Sequence, residues 1–295
     1  MKTSSHADAS ELPMIDSLWN YNDPAATALV FEALKDKAQQ TDENYYLELL
    51  TQIARTQSLQ MKFDSAHQIL DRVENQLSEE KVVPTIRYYL ERGRTFNSAR
   101  EKDTASTLFQ KAYDLALAHQ QDFYAIDAAH MLAISEPVEK QLQWNLTALD
   151  LVEKTEDTRA KKWQGSLYNN IGWTYHENGE YDKALTYFEK ALDYRTTQQD
   201  TQGVFIAKWT VARTYRSLGK IGEAVKIQSA LMKEMQQEGA TEDGYVYEEL
   251  AECYYLLDKD RAKPYFKKAY DLLSQDQWLV ANEAKRLDRL QQLSE

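Results

Sequence analysis

The stretch LYNNIGWTYHENGEYDKALTYFEKAL, residues 167–192, carries the clearest pattern in the chain. In its first half Tyr168, Gly172 and Tyr175 recur at spacings of four and three, which place them on one side of a helix at about 100° per residue. The letters HENGE interrupt this pattern, and Gly179 suits the left-handed conformation that often ends a helix. The first half is therefore predicted to be a helix that ends in a tight turn.

The second half of the stretch repeats the same spacing. Ala184, Phe188 and Ala191 follow one another at intervals of four and three, so they also share one helix face. Gly172 and Ala184 are small, which allows the backbones of the two helices to approach closely, and the aromatic side chains fill the surrounding space. The stretch is predicted to form an antiparallel helical hairpin.

This hairpin resembles the tetratricopeptide repeat (TPR), with its signature W-x2-L-G-x2-Y, then A-x3-F and a further alanine. The residues that fit the signature are Tyr168, Ile171, Gly172, Tyr175, Ala184, Phe188 and Ala191. Thr196 stands where the family has its closing proline. The resemblance implies an all-α fold, a right-handed α-solenoid of stacked antiparallel helix hairpins (a TPR superhelix).

Similar hairpins recur along the chain, as they must if each is to bury its apolar face against a neighbour. The small residues equivalent to Gly172 are Ala54, Gly93, Ala129, Gly172, Ala212 and Ala251. They lie 36 to 43 residues apart, more than the roughly 34 of the common motif, and this resembles longer-period relatives of the kinesin light chain type. The predicted hairpins are 44–80, 84–119, 121–155, 163–198, 203–238 and 243–276. The third is the weakest, since Gln141 replaces its second-helix alanine.

The segments outside the hairpins are predicted to be a tail and two caps. Residues 1–13 are expected to form a flexible tail, and residues 14–43 a capping region whose helix starts with Asp23 as N-cap and Pro24 at its first position. Residues 277–295 are expected to form one amphipathic capping helix with a polar outer face. No low-complexity linker separates the repeats, so one continuous solenoid over 44–276 is expected.

Composition limits the function classes. The formal net charge of −12 argues against a general nucleic-acid or anionic-membrane surface. The start has no secretory pattern, no apolar run reaches membrane-spanning length, and one cysteine excludes an intrachain disulfide. We therefore expect a cytoplasmic protein that contacts neither nucleic acid nor membrane.

The sequence contains no motif that indicates catalysis or a cofactor. His176 and Glu177 are not followed by the spacing of the zinc motif H-E-x-x-H, and neither a dinucleotide-binding nor a phosphate-binding glycine loop occurs. Cys253 lies in a predicted packed helix, where a thiol is usually inert. No cofactor, no metal and no enzymatic activity are expected.

A second face of the first helices is left free by the packing pattern. The residues at −6, −3, +1 and +4 from each small residue form a face roughly 130° away from the packing side; we call it the first-helix face. In the TPR family the first helices line the concave surface, so this face is a candidate groove. Its candidate binding residues are Arg55, Arg87, Arg94, His130, Asn169, Trp173, His176, Trp209, Arg213 and Arg216. Over five hairpins it holds five arginines and one glutamate, a net charge of +4.

Arginine and tryptophan are typical of interface hot spots, and arginine pairs well with carboxylates. The sequence therefore predicts a protein- or peptide-binding scaffold or adaptor with a basic and aromatic groove for acidic or C-terminal segments. The opposing interpretation is that the arginines pair with nearby acids and the tryptophans pack between hairpins. Asn170 fits one position of the two-carboxylate clamp of chaperone-binding TPR domains, but the flanking hairpins do not.

The alternative function is a peptide or small-ligand sensor that changes solenoid curvature on binding. Some bacterial peptide-sensing regulators place a DNA-binding domain before such repeats. The roughly 40 residues before the first hairpin are expected to be too few for that domain. The sequence leaves the partner and the oligomeric state open.

Overall fold

The computed structural model describes residues 12–295, and every regular element in that range is helical. The predicted tail falls mostly on residues 1–11, outside the described residues. The chain divides into two compact units, one ending at Trp163 (unit 1) and one from Gln164 to Glu295 (unit 2). Each unit is an array of helix hairpins, as the all-α solenoid prediction requires.

Unit 1 begins with an irregular segment and a short 3-10 helix, Ile15–Leu18. Its α-helices are α1 Pro24–Thr41, α2 Glu43–Leu59, α3 Phe63–Glu74, α4 Val82–Ser98, α5 Lys102–Ala118, α6 Asp122–Ser135, α7 Val138–Lys154 and α8 Thr158–Lys161. Helix α1 starts as its sequence predicts, because the Asp23 side chain accepts a hydrogen bond from the Ala26 amide and Pro24 occupies the first turn. It packs against α2.

Unit 2 consists of three hairpins followed by two short helices. Its helices are α9 Gln164–Glu177, α10 Tyr181–Thr197, α11 Thr201–Ser217, α12 Ile221–Gln237, α13 Gly244–Leu257, α14 Lys259–Leu273, α15 Gln277–Asn282 and α16 Ala284–Leu293. The single capping helix expected over 277–295 is wrong, because the backbone leaves helical geometry at Glu283 (φ −127°, ψ 35°). Helix α16 packs against α14 and buries Leu287 and Leu290.

The close helix approach predicted at Gly172 is present. A Cβ built on Gly172 would lie 2.6 Å from the Phe188 ring, and one built on Gly93 would lie 2.5 Å from the Phe109 ring. Both phenylalanines are fully buried. Any side chain at either glycine would overlap the ring that fills the hairpin, which explains why the position is small.

Two further glycines test the sequence interpretation. Gly179 has φ +76°, the predicted left-handed conformation at the end of α9. Gly203, where the fifth predicted hairpin begins, is buried in the first turn of α11, which already starts at Thr201. Its amide donates to the N-cap carboxylate of Asp200, and a Cβ there would lie 2.0 Å from the Asp200 Oδ2. The predicted hairpin start at residue 203 was two residues late because the cap is Asp200.

Candidate functional site

The first-helix face is crossed by ion pairs between successive first helices. Arg55 in α2 donates to Glu91 in α4 at 3.0 Å, and Arg213 in α11 donates to Glu249 in α13 at 3.1 Å. Arg94 in α4 pairs in the same way with Asp127 in α6. Each arginine stands one residue after the small packing residue of its helix, and each acid stands two residues before that of the next first helix. The ion pairs therefore repeat with the hairpins.

The arginines of unit 1 are compensated by carboxylates. Arg87 is almost fully buried and contacts Asp16 at 2.8 Å and Glu48 at 2.9 Å. Arg94 also contacts Glu91, at 2.7 Å. Arg55, Arg87 and Arg94 thus share the carboxylates of Asp16, Glu48, Glu91 and Asp127. The net charge of +4 was summed only over the first-helix face positions. Of these four acids only Glu48 lies at such a position, so the other three were left out of the sum.

The pKa shifts in unit 1 follow from burial and from these pairs. Burial raises the pKa of Glu48, against the opposing effect of Arg87. Burial also acts to raise the pKa of Glu91, but Arg55 and Arg94 together outweigh it and the pKa of Glu91 is lowered. Burial lowers the pKa of His130, whose ring lies 4.9 Å from the Trp163 ring. Glu91 is therefore held as a carboxylate, and His130 as a neutral imidazole.

The corresponding face of unit 2 combines two arginines with two tryptophans. The Trp173 and Trp209 rings lie 5.9 Å apart, and the Arg213 guanidinium carbon lies 5.8 Å from each ring centroid. Arg216 donates hydrogen bonds to Glu249 from its Nε and, at 3.1 Å, from its Nη2. Glu249 is only 1% exposed. One buried carboxylate is therefore shared by two guanidiniums beside a pair of indole rings.

His176 borders this cluster, and Asn169 lies four residues before Trp173 in α9. The His176 Nε2 lies 2.9 Å from the Ser217 hydroxyl, and its ring centroid is 5.2 Å from that of Trp173. Burial, together with the charges of Arg213 and Arg216, lowers the pKa of His176. Asn169 is half-buried. The structure therefore brings six of the ten predicted binding residues into unit 2, while Arg55, Arg87, Arg94 and His130 lie in unit 1.

An apolar cavity of about 260 Å³ adjoins Trp209. It is lined by Gln202, Phe205, Ile206, Trp209, Leu231, Met235, Asp243, Tyr245 and Val246. Ile206 is 53% exposed at its edge, and the Trp209 indole donates to the Tyr245 carbonyl at 3.1 Å. This hydrogen bond fixes one wall of the cavity, which lies beside the arginine pair.

Comparison with known proteins supports the repeat architecture. The family model "Tetratricopeptide repeat" matches residues 166–195, which lie in the hairpin of α9 and α10. The chain contains a tetratricopeptide repeat. A search of curated proteins finds no match.

Solved TPR-like structures match most of the chain at low sequence identity. The apo form of RapI has a TM-score of 0.67 at 12% identity, covering 90% of this chain and 78% of that one. NprR in complex with its cognate peptide NprX has a TM-score of 0.59 at 16% identity, covering 95% and 82%. Aspartyl phosphate phosphatase F from Bacillus subtilis has a TM-score of 0.61 at 14% identity, covering 95% and 75%. These likenesses establish the fold as that of the TPR solenoids.

Several site residues were missed because they lie outside the TPR face positions. Glu91, Asp127 and Glu249 all stand two residues before a small packing residue. A repeated pairing in the sequence could have revealed them. Each of these acids follows the arginine of the preceding hairpin with which it pairs, by 36, 33 and 36 residues. Tyr245 stands six residues before Ala251 and so belongs to the first-helix face, but it was not among the candidate binding residues.

The acidic sixth hairpin is covered by arginines from α16. Arg286 donates to Glu248 at 2.9 Å, and Arg289 pairs with Glu252. The acids of α13 are thus compensated from both sides, by the α11 arginines and by the α16 arginines. This is the role of a terminal cap that neutralises the last repeat.

The described residues offer little reactive chemistry. Within 12–295 no group of three or more His, Cys, Asp or Glu side chains could hold a metal ion. Burial raises the pKa of Cys253 to about 12, so this thiol stays protonated and is not a nucleophile. Each described helix is too short or too polar to cross a bilayer.

Proposed function

We propose that this chain is a TPR scaffold or adaptor that binds a protein or peptide through the first-helix face of unit 2, and that the ligand presents an acidic or C-terminal carboxylate. The observation that carries the proposal is the pairing of Arg213 and Arg216 with the single carboxylate of Glu249. Two guanidiniums hold more donors than one carboxylate can accept, so a ligand carboxylate would complete the cluster.

The tryptophans supply the apolar part of the proposed contact. Trp173 and Trp209 are partly exposed and flank Arg213, and tryptophan and arginine dominate binding energy at protein interfaces. The cavity beside Trp209 is large enough for one or two apolar side chains. Carboxylate recognition and apolar anchoring thus lie next to each other on one helix.

The spacing of these two features sets the form of the ligand. Trp209 and Arg216 are seven residues apart on α11, or about 10 Å along a helix axis. An extended peptide advances about 3.3 Å per residue. The ligand is therefore expected to carry its carboxylate about three residues from its apolar anchor.

The charge balance of unit 2 favours local recognition over long-range attraction. Arg213, Arg216, Arg286 and Arg289 contact Glu248, Glu249, Glu252 and Glu283. With four charges of each sign, the cluster has no large net field to steer an acidic partner. The selectivity of the proposed site comes from the geometry of the arginine forks.

A peptide selection tests this function. Random peptides displayed on phage are selected on the full chain, and the enriched peptides are measured by fluorescence anisotropy with free and amidated C-termini. The test variant is Arg213→Lys with Arg216→Lys, which keeps both charges beside Glu249 but removes the guanidinium forks. The matched control is Arg289→Lys, which alters an exposed arginine of α16.

The proposal expects the double lysine variant to bind the enriched peptides at least about tenfold more weakly, a loss of about 1.4 kcal/mol. The control should bind as the unchanged chain does. If no peptide is enriched, or if the double lysine variant binds equally well, the proposed site is wrong.

A peptide sensor remains the second candidate, supported by the likeness to NprR in complex with its cognate peptide. In this alternative the same site binds, but the hairpins change their packing. Small-angle scattering with a saturating selected peptide separates the two: an unchanged radius of gyration supports a scaffold, and a clear change supports a sensor.

A further inference from the structure

Residues 12–22 lie across the first-helix face of unit 1 and make specific side-chain contacts with it. Asp16 accepts a hydrogen bond from Arg87 at 2.8 Å. Trp19 donates its indole hydrogen to Gln52 at 3.0 Å. The segment thus presents a carboxylate and, three residues later, a tryptophan to the face.

This segment places Arg55 against a pair of aromatic rings. The Trp19 and Tyr21 rings stack at 4.7 Å, and the Arg55 guanidinium carbon lies 5.7 and 5.5 Å from their centroids. In unit 2, Arg213 has the same arrangement with two tryptophans of α9 and α11. The aromatic rings that face the arginine therefore come from the irregular segment in unit 1 and from the helices themselves in unit 2.

The attachment of the segment depends mainly on side chains. Within residues 12–22 the regular structure is one turn of 3-10 helix, and Met14 and Tyr21 are 66% and 60% exposed. Ile15 is buried, and the Tyr45 hydroxyl donates to the Pro13 carbonyl at 2.8 Å. Segments with few backbone hydrogen bonds open at a smaller free-energy cost than packed helices.

The fit between the segment and the face leaves polar groups unsatisfied. Asp16 Oδ2 and Arg55 Nε are buried without a hydrogen-bond partner among the described residues. Both residues line a cavity of about 140 Å³ that also contacts Arg87 and Arg94. Asp16 Oδ2 has the Arg159 guanidinium 3.5 Å away and leaves with the segment, whereas Arg55 Nε stays on the face. A buried polar group without a hydrogen bond is costly, so a ligand that accepted a hydrogen bond from Arg55 Nε would bind this face better than the segment does.

We propose that the first-helix face of unit 1 is a second peptide-binding site, selective for an extended segment with a carboxylate three residues before a tryptophan. Residues 12–22 occupy it in cis and act as a competitor that such a peptide displaces. The occupant we infer is a partner segment of this chemistry, because the contacts of Arg87, Gln52 and Arg55 match its carboxylate, indole and aromatic groups in turn.

The test uses the full chain and a defined probe. The probe is a fluorescein-labelled peptide with the sequence of residues 12–23, LPMIDSLWNYND. The releasing variant is Asp16→Asn with Trp19→Ala, which weakens the cis segment and leaves the face intact. The control probe is the same peptide with these two replacements, so its length and remaining sequence are unchanged.

The proposal expects the releasing variant to bind the probe at least tenfold more tightly than the unchanged chain, and to ignore the control probe. Equal binding by both chains, or binding of both probes alike, would overturn it. Loss of the helical circular dichroism in the releasing variant and also in the milder Asp16→Asn variant would show that the segment belongs to the core, and would overturn it too.

Light scattering tests whether the occupant of the face is instead a second copy of the chain. If the releasing variant is monomeric and the unchanged chain is a dimer that exchanges this segment between copies, the occupant is a second copy and the partner proposal is wrong. These outcomes do not depend on Arg213 or Arg216, so the two proposed sites can fail separately.

Discussion

Arg55 in unit 1 and Arg213 in unit 2 occupy equivalent positions, yet their surroundings are assembled differently. Each guanidinium faces two aromatic rings at 5.5 to 5.8 Å and pairs with an acid from the next first helix. In unit 1 the rings belong to an irregular segment, whereas in unit 2 they belong to α9 and α11. The same local chemistry can thus be built by the repeat or laid over it by a separate segment.

This difference affects which face is available to a ligand. The unit 1 face is covered by residues 12–22, and its arginines are largely buried. In unit 2 the Arg213 side chain is 34% exposed and contacts the Trp209 ring, which lines an apolar cavity. The proposed site in unit 2 is therefore the more accessible of the two, while a ligand at the proposed site in unit 1 would first have to displace residues 12–22.

The largest expected effect concerns the buried acids beneath these arginines. Replacing Arg213 and Arg216 by Met leaves Glu249 buried without its partners, which is expected to destabilise unit 2 by about 3–5 kcal/mol. Adding Glu249→Gln should recover most of this loss. Urea unfolding followed by circular dichroism measures all three chains.

The double replacement Arg55→Met with Arg94→Met in unit 1 sharpens the comparison when it is made together with Asp127→Asn, because Asp127 would otherwise lose its Arg94 partner as well. Glu91 keeps a hydrogen bond from the Gln52 amide at 3.2 Å, so the loss should be smaller than in unit 2. An equal or larger loss in unit 1 would show that Glu249 has support beyond its two arginines. Because removal of the arginines is expected to destabilise the protein, it would not separate a loss of binding from a loss of folding.

The second prediction compares the tight helix approaches of the two units. Gly93→Ala and Gly172→Ala should each destabilise by about 1–3 kcal/mol, because the new methyl overlaps Phe109 or Phe188. Gly222 is the control, since a Cβ on this α12 residue meets nothing within 4 Å. Gly222→Ala should stabilise by about 0.5–1 kcal/mol through helix propensity.

Thermal unfolding of the three alanine variants measures these effects. Similar losses at Gly93 and Gly172 would show that the two hairpins pack alike, so the difference between the units is confined to the first-helix face. A stabilised Gly172→Ala chain would contradict the packing of this hairpin.

The sequence predicted the hairpins because their spacing is local and repeated. Gly172, Ala184 and Phe188 define one hairpin within 17 residues, and helix periodicity is the strongest signal in a single sequence. The start of the fifth hairpin was misplaced for a local reason of another kind, since the helix start depends on the Asp200 cap. The break at Glu283 also escaped the pattern, which was apolar on both sides of it.

The candidate site was less predictable because its contacts are remote in sequence. Asp16 and Arg87 are 71 residues apart, and nothing in the repeat pattern links them. The arginine–acid pairs could have been found by comparing successive hairpins, but the first-helix face was chosen without the positions that hold Glu91, Asp127 and Glu249. The opposing interpretation, that the arginines pair with nearby acids, agrees with these ion pairs, but the sequence analysis did not name the acids.

The third prediction concerns pH and compares His130 of unit 1 with His176 of unit 2. Burial lowers the pKa of both, so the folded protein keeps them neutral at a pH where the unfolded chain, with a histidine pKa of about 6.5, becomes protonated. The unfolded state then binds more protons, and the free energy of unfolding falls as the pH drops through about 6.5. Each histidine contributes at most about 1.4 kcal/mol per pH unit. Replacing His130 or His176 by Gln should flatten urea stability curves between pH 7.5 and 5.5. If only the His176→Gln curve is flattened, His130 does not stay neutral in unit 1, and the two faces differ in protonation as well as in assembly.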